Sequence, residues 1–463
     1  MPEGHPAGRI DQRSESRRHP AGHLRLAVRL SVPLYRRGEI RNLQHSARLR
    51  KEHTVSKRHV CIGVMFCLAT VGAALFARPA EEFVISERAR RLHQRAIVVD
   101  THVDVPYSHF SKTEFDFSRR HAPDWGHVDI PRMREGGLDA PFFSIYIPAT
   151  VTGPEAVKRA LQLIAWTRAL VERHPQAMAL ATTAADVRRI HREGRIAVLL
   201  GMEGGHMIAD DLLVLRTYAD LGVRYLTLAH SRSTNWAGSS GEDDNRPLTD
   251  FGRQVVRELN RLGVLVDISH VSDQTFWDAL AVSEAPMIAS HSSCRALCDH
   301  PRNMTDEMIR ALARKGGVIQ ITFVDTFLSQ ELRDAQRATE AERNRRIAEL
   351  RERFPNDPER QRSERERIFE EYRRQWPRVS WERIVDHIDH AVKVAGVDHV
   401  GLGSDFDGAT MPDGMDDCTM LPKLTEALLR RGYSERDIEK ILGGNLLRVL
   451  EQAERVAQRL RER

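Results

Sequence analysis

Residues 96–107 read "AIVVDTHVDVPY". Ala96 to Val99 is a short apolar run without polar alternation, the pattern of a strand buried on both faces. It ends in two metal-capable side chains, His102 and Asp104. Residues two apart at a strand's end project to the same side, so an imidazole and a carboxylate there can grip one cation. Taken alone, such a pair is a strand-terminal turn with incidental polar residues. Its meaning depends on whether the rest of the chain repeats the arrangement.

It does. Short apolar runs recur at Ile97–Val99, Phe142–Ile147, Ile196–Leu200, Tyr225–Ala229, Val264–Ile268, Pro286–Ala289, Val318–Ile321 and His399–Leu402. Amphipathic stretches such as "GPEAVKRALQLIAWTRALVERH" and "FGRQVVRELNRLG" lie between them, with apolar residues at helical spacing. Eight repeats of strand then helix predict an α/β fold, a (β/α)8 TIM-type barrel over residues 85–460, with site residues at the carboxyl ends of the strands. An open doubly wound sheet is the alternative architecture.

The strand ends carry a consistent chemistry. The first gives His102 and Asp104, the third Glu203 in "VLLGMEGGH", and the fourth His230 in "YLTLAHS". The fifth gives His270 in "VLVDISHVS", the sixth His291 in "MIASHSS", and the eighth Asp405 in "VGLGSDFDG". Each histidine alone reads as a structural residue, but six of eight strands ending this way on one face point to a metal centre. Three histidines and two carboxylates can hold two divalent ions if one carboxylate bridges.

Other polar features read differently. The "HVD" at His127–Asp129 follows a polar stretch and reads as a helix start or loop. His206, after Gly204-Gly205, fits a loop and a pocket wall equally well. "HIDH" at 387–390 lies in an amphipathic helix, its histidines facing solvent or neighbours. Asp407, before Gly408, reads as a turn residue bonding its own backbone. Residues 329–377 are dense in charges of both signs, broken by Phe354-Pro355-Asn356-Asp357-Pro358, and predict a charged helical insertion between strands seven and eight.

Charge is uneven along the chain. Residues 1–58 hold 14 Lys or Arg and 5 Asp or Glu, a net of +9, against +5 for the whole chain, leaving −4 for the rest. The basic excess belongs to the leader, which argues against a nucleic-acid partner. Val60–Phe76 is an uncharged apolar run following Lys57-Arg58. Residues 56–80 are therefore expected to be a signal peptide or membrane anchor that exports the following domain to the periplasm or beyond, cleaved or retained. Residues 1–55 are expected to be a disordered or spurious extension, with translation starting near Val55. Of the cysteines, Cys61 and Cys67 fall in the apolar run, leaving Cys294, Cys298 and Cys418. That leaves room for one bridge and excludes a disulfide scaffold or a thiolate zinc site.

Six stretches in this order, "DTHVDVP", "GMEGGH", "GVRYLTLAHS", "NRLGVLVDISHVSD", "APMIASHSSCRALCDHPRN" and "VGLGSDFDG", resemble the membrane dipeptidase family of zinc metallopeptidases over about residues 90–455. The resemblance implies two Zn²⁺ per chain, one held by His102 and Asp104, the other by His270 and His291, with Glu203 bridging. It implies that Asp405 is the catalytic aspartate, that His230 polarises the substrate carbonyl, and that Arg302 receives the terminal carboxylate of a dipeptide. It also implies hydrolysis by a hydroxide shared between the metals, and a homodimer. The C-terminal "VAQRLRER" carries no lipid-anchor signal.

Two other functions compete with a dipeptidase. One is an amidohydrolase acting on N-acyl amino acids or lactams with the same site. The other is a membrane-tethered binding protein that uses the charged insertion and holds no zinc.

Overall fold

The computed structural model describes residues 83–112 and 115–463. The expectations for residues 1–55, for 56–80 and for the apolar run 60–76 lie outside the described residues. Among the described residues, no helix is long and apolar enough to cross a membrane.

The described residues form nine strands in order: β1 Val99–Val103, β2 Ala140–Tyr146, β3 Met178–Leu180, β4 Ile196–Glu203, β5 Val223–Thr227, β6 Leu265–Asp267, β7 Ile288–Ser292, β8 Val318–Ile321 and β9 Val400–Leu402. Eight of them run parallel in the order β1-β2-β4-β5-β6-β7-β8-β9, with helices between them, and β3 pairs only with β4. This is a nearly closed (β/α)8 barrel. Closure runs through the strand ends: the Asp405 N–H donates to the His102 carbonyl at 3.0 Å, and the Asp104 N–H to the Phe406 carbonyl at 2.8 Å.

Two expectations need correction. The first strand lies at Val99–Val103, not Ile97–Val99, so His102 belongs to the strand itself. β3 was not expected, because a three-residue run pairing at one edge leaves no periodic signal.

Alternation along β4 divides its side chains. Ala197 and Leu199 pack with Phe142, Tyr225, Leu265, Ile288 and Val318, while Val198, Leu200 and Met202 pack into the larger helix-lined core. The first set continues by twos through Gly201 to Glu203, which brings that carboxylate inward at the strand's end. The flanking helices begin with side-chain caps: Thr183 accepts from the Asp186 N–H, Thr249 from the Gly252 N–H and Thr305 from the Met308 N–H.

The charged segment after β8 is helical at Gln330–Ala338, Glu340–Arg353 and Pro358–Arg373, and Asp357 caps the last of these. Leu350, Ile368 and Tyr372 form its own small core. Cys294, Cys298 and Cys418 are buried and form no disulfide among the described residues.

Candidate active site

The barrel's carboxyl end gathers the expected residues. His102 sits in β1 with Asp104 just beyond, Glu203 ends β4, and His291 lies in β7. His230, His270 and Asp405 each come three residues after a strand, the last two at left-handed φ of 67° and 68°. Non-glycine residues adopt this region uncommonly, Asn, Asp and His more readily than most, and surrounding packing holds them there.

Glu203 is the hub. Its Oε2 lies 3.5 Å from His102 Nε2, and its Oε1 lies 3.0, 3.3 and 3.4 Å from the Nε2 atoms of His270, His291 and His230. His102 Nε2 is also 3.4 Å from Asp104 Oδ2 and 4.0 Å from Asp405 Oδ1. Ligand atoms fall within 4.8 Å of one another in three overlapping sets: His102, Glu203 and His291; Glu203, His230 and His270; His102, Asp104 and Asp405. His102, Asp104, Glu203 and His291 are buried, while His230, His270 and Asp405 are partly exposed at the mouth.

This donor set fits divalent cations. Three carboxylates are brought together in a largely buried cluster, and His102 Nε2 and Asp104 Oδ1 are buried with no hydrogen-bond partner among the described residues. His270 and His291 place their Nε2 atoms 2.9 Å apart. Burial holds both well below the ordinary histidine pKa, so they are neutral and can ligate. Burial opposes ionisation of Glu203, but His102 and His230 more than offset it and hold its carboxyl well below the usual range. Burial pushes the Asp405 carboxyl well above that range, with Asp104 and Glu203 adding to the rise against His102. A bound cation would reverse that last effect.

Arg302 is buried beside the cluster, on the loop after β7. Its Nη2 donates to the His291 carbonyl, and its Nε and Nη1 are buried with no partner among the described residues. Burial lowers its pKa to about 10, so it remains a cation at neutral pH.

The features read as incidental divide. Asp129 caps the helix Ile130–Gly136, as expected. His387 and His390 face neighbours: the Cys294 N–H donates to His387 Nδ1, and His390 Nε2 lies 2.7 Å from Asp306. His206 lies near His230, and its Nε2 is buried with no partner among the described residues. Asp407 is not an ordinary turn residue. Its buried carboxylate accepts from the His127 backbone N–H and lies 3.3 Å from His109 Nε2, so it ties two distant loops together. Sequence reading also passed over Tyr146, whose ring centroid lies 4.9 Å from that of His230, and Tyr225, whose hydroxyl lies 2.8 Å from His102 Nδ1.

Solved structures share this architecture. The probable dipeptidase PvdM from Pseudomonas aeruginosa is similar at 28% identity and a TM-score of 0.69, covering 80% of this chain and 98% of that one. A metallopeptidase from Rhodobacter sphaeroides, liganded with a phosphinate mimic of the dipeptide L-Ala-D-Ala, matches at 28% identity and a TM-score of 0.63, covering 77% and 99%. A dipeptidase of metallopeptidase family M19 matches at 29% and 0.64, covering 77% and 98%. The family model of the membrane dipeptidases, peptidase family M19, spans residues 86–463. From the barrel, the metal-competent cluster at its mouth and that match, the chain belongs to the membrane dipeptidase family of metallopeptidases.

Proposed function

We propose that this protein is a dizinc dipeptidase that cleaves dipeptides to free amino acids outside the cytoplasm. The observation that carries the reading is Glu203, whose two oxygens face different donors: Oε2 the His102 side, Oε1 the His270 and His291 side. His102 and Asp104 would hold one ion and His270 and His291 the other, with Glu203 between them. Two Zn²⁺ there would polarise the scissile carbonyl and acidify the attacking water.

The chain's own groups do the rest. Arg302 offers two unpartnered N–H groups to the substrate carboxylate, which measures the substrate as a dipeptide. His230, packed against Tyr146, turns its imidazole toward the carbonyl oxygen and stabilises the charge that develops there. Asp405 takes the water's proton and returns it to the departing amine.

A zinc count on purified protein, with a coupled amino-acid release assay over dipeptides and N-acyl amino acids, tests this reading. Near two zinc per chain and turnover of dipeptides are expected. Preferential release from N-acyl amino acids would favour the amidohydrolase instead, and no zinc with no turnover would leave the binding-protein reading. Export through residues 56–80 and pairing into a homodimer belong to the same proposal. Cell fractionation checks the first and light scattering the second.

A further inference from the structure

Two of the histidines assigned as ligands are backed in different ways inside the barrel. His291 Nδ1 lies 2.8 Å from Ser290 Oγ, which donates to Asp267 Oδ2 at 2.7 Å. Asp267 is fully buried, and its carboxylate also accepts from the Ser269 and Ser290 backbone N–H groups and from the Thr227 hydroxyl. Because the Ser290 proton is committed to Asp267, His291 Nδ1 must be the donor to Ser290. That fixes the tautomer and leaves the Nε2 lone pair facing the cluster.

His102 has no such carboxylate behind it. Its Nδ1 faces the Tyr225 hydroxyl at 2.8 Å, and among the described residues this is that hydroxyl's one hydrogen bond. The direction is therefore open. If the phenol donates, His102 Nε2 keeps a proton and cannot ligate; if the phenol accepts, Nε2 is free. The phenol ring is tightly placed: Tyr225 is fully buried, stacks on Phe142 at 5.4 Å and lies across Gly201. A Cβ at Gly201 would overlap the phenol ring. Glycine on β4 is what lets a tyrosine on β5 reach a histidine on β1.

We propose that Tyr225 is the positioning residue for the His102 half of the metal centre, and that the Asp267–Ser290 relay serves the His291 half. Ligation by His102 requires the phenol to accept, and a single neutral acceptor orients and polarises an imidazole less than a relay ending in a carboxylate, so the His102 half is the weaker metal position. This rests on the two-metal reading above.

Titration of the metal-free, full-length protein with Co²⁺, followed by visible absorbance and metal analysis, tests it. The wild-type protein is expected to bind two ions in two steps. Tyr225→Phe should weaken one step by about 10- to 100-fold and leave the other within about twofold, as expected for loss of a hydrogen-bond partner behind one ligand. Ser290→Ala should weaken the other step instead. A purely structural role for Tyr225 would lower metal-free thermal stability without separating the two steps. Unchanged steps in Tyr225→Phe, or the two variants weakening the same step, would overturn the proposal. If Tyr225→Phe does not fold, Ser290→Ala acting on the weaker step overturns it alone. A wild-type protein that takes up one ion or none fails the two-metal reading itself, and the inference with it.

Discussion

Arg302 Nη2 donates to the carbonyl oxygen of His291 at 3.0 Å, so the guanidinium is held by the backbone of a residue in the metal-competent cluster. The Phe327 ring, 5.4 Å from its carbon, supports its other side. Nε and Nη1 are left as a planar, buried pair of donors with no partner among the described residues. A carboxylate satisfies that geometry. Arg302→Ala should therefore raise KM and lower kcat/KM for free dipeptides by about 2–4 kcal/mol in transition-state binding. Dipeptide amides, lacking the carboxylate, should lose far less. Equal losses on both substrates, measured by steady-state kinetics, would show that Arg302 does not read the carboxylate.

Asp405→Asn keeps the side chain's shape and removes its capacity to take a proton. Metal content is expected to stay near that of the wild type, while turnover falls by roughly 10²- to 10⁴-fold, the range for loss of a general base. Loss of metal on dialysis would instead make Asp405 a ligand, in keeping with its distance of 4.0 Å from His102 Nε2.

Asp407→Asn should act on stability more than on chemistry. The carboxylate is buried between the His127 backbone and the His109 ring, far from them in sequence. Removing its charge should lower unfolding free energy by about 1–3 kcal/mol, the usual scale for a buried hydrogen bond left poorly made. Urea denaturation reads this directly, and a metal count should find the centre still loaded.

Gly408→Ala tests how tightly the two carboxylates are held. A Cβ at Gly408 would run into Asp104 Oδ2 and Asp405 Oδ1. The methyl should displace both, lowering kcat by roughly tenfold to a hundredfold through misplacement alone. An unchanged kcat would mean that this loop yields easily.

The buried His387 gives a pH dependence. Burial lowers its folded-state pKa to about 4, against hydrogen bonding to the Leu328 carbonyl. The unfolded chain therefore binds a proton more readily than the folded one between pH 6.5 and about 4. Its contribution to stability is present above pH 6.5 and is lost as pH falls through that window, by up to about 3 kcal/mol. Denaturant unfolding at pH 7 and pH 4.5 should show a smaller fall in His387→Gln than in the wild type.

Much of this site was legible because strand alternation and strand ends are local patterns. Glu203 follows Leu199 and Gly201 on the inner side of one apolar run, and His291 ends another. The long-range partners were not legible. Tyr225 in "VRYLT" and Asp267 in "VLVDIS" look like ordinary strand residues, since neither sequence records which histidine the barrel brings to them. Asp407 sits in a plausible local turn, and its actual partner, His127, lies 280 residues away. Arg302 has no periodic signal, and its role came only with the family resemblance.

The seam between β1 and β9 also bears on how the chain becomes active. Its closing bonds join His102 and Asp104 to Asp405 and Phe406, residues from opposite ends of the folded domain. On the ribosome, the first of these emerges long before the last, and until residues 400–406 are made the ring stays open where the ions would sit. Assembly thus has an order: every other strand can be in place while the centre still lacks one wall. The proposed ligands all precede residues 400–406 in the chain, whereas Asp405 arrives with them, so the carboxylate proposed to carry the proton is the last part of the site to be put in place.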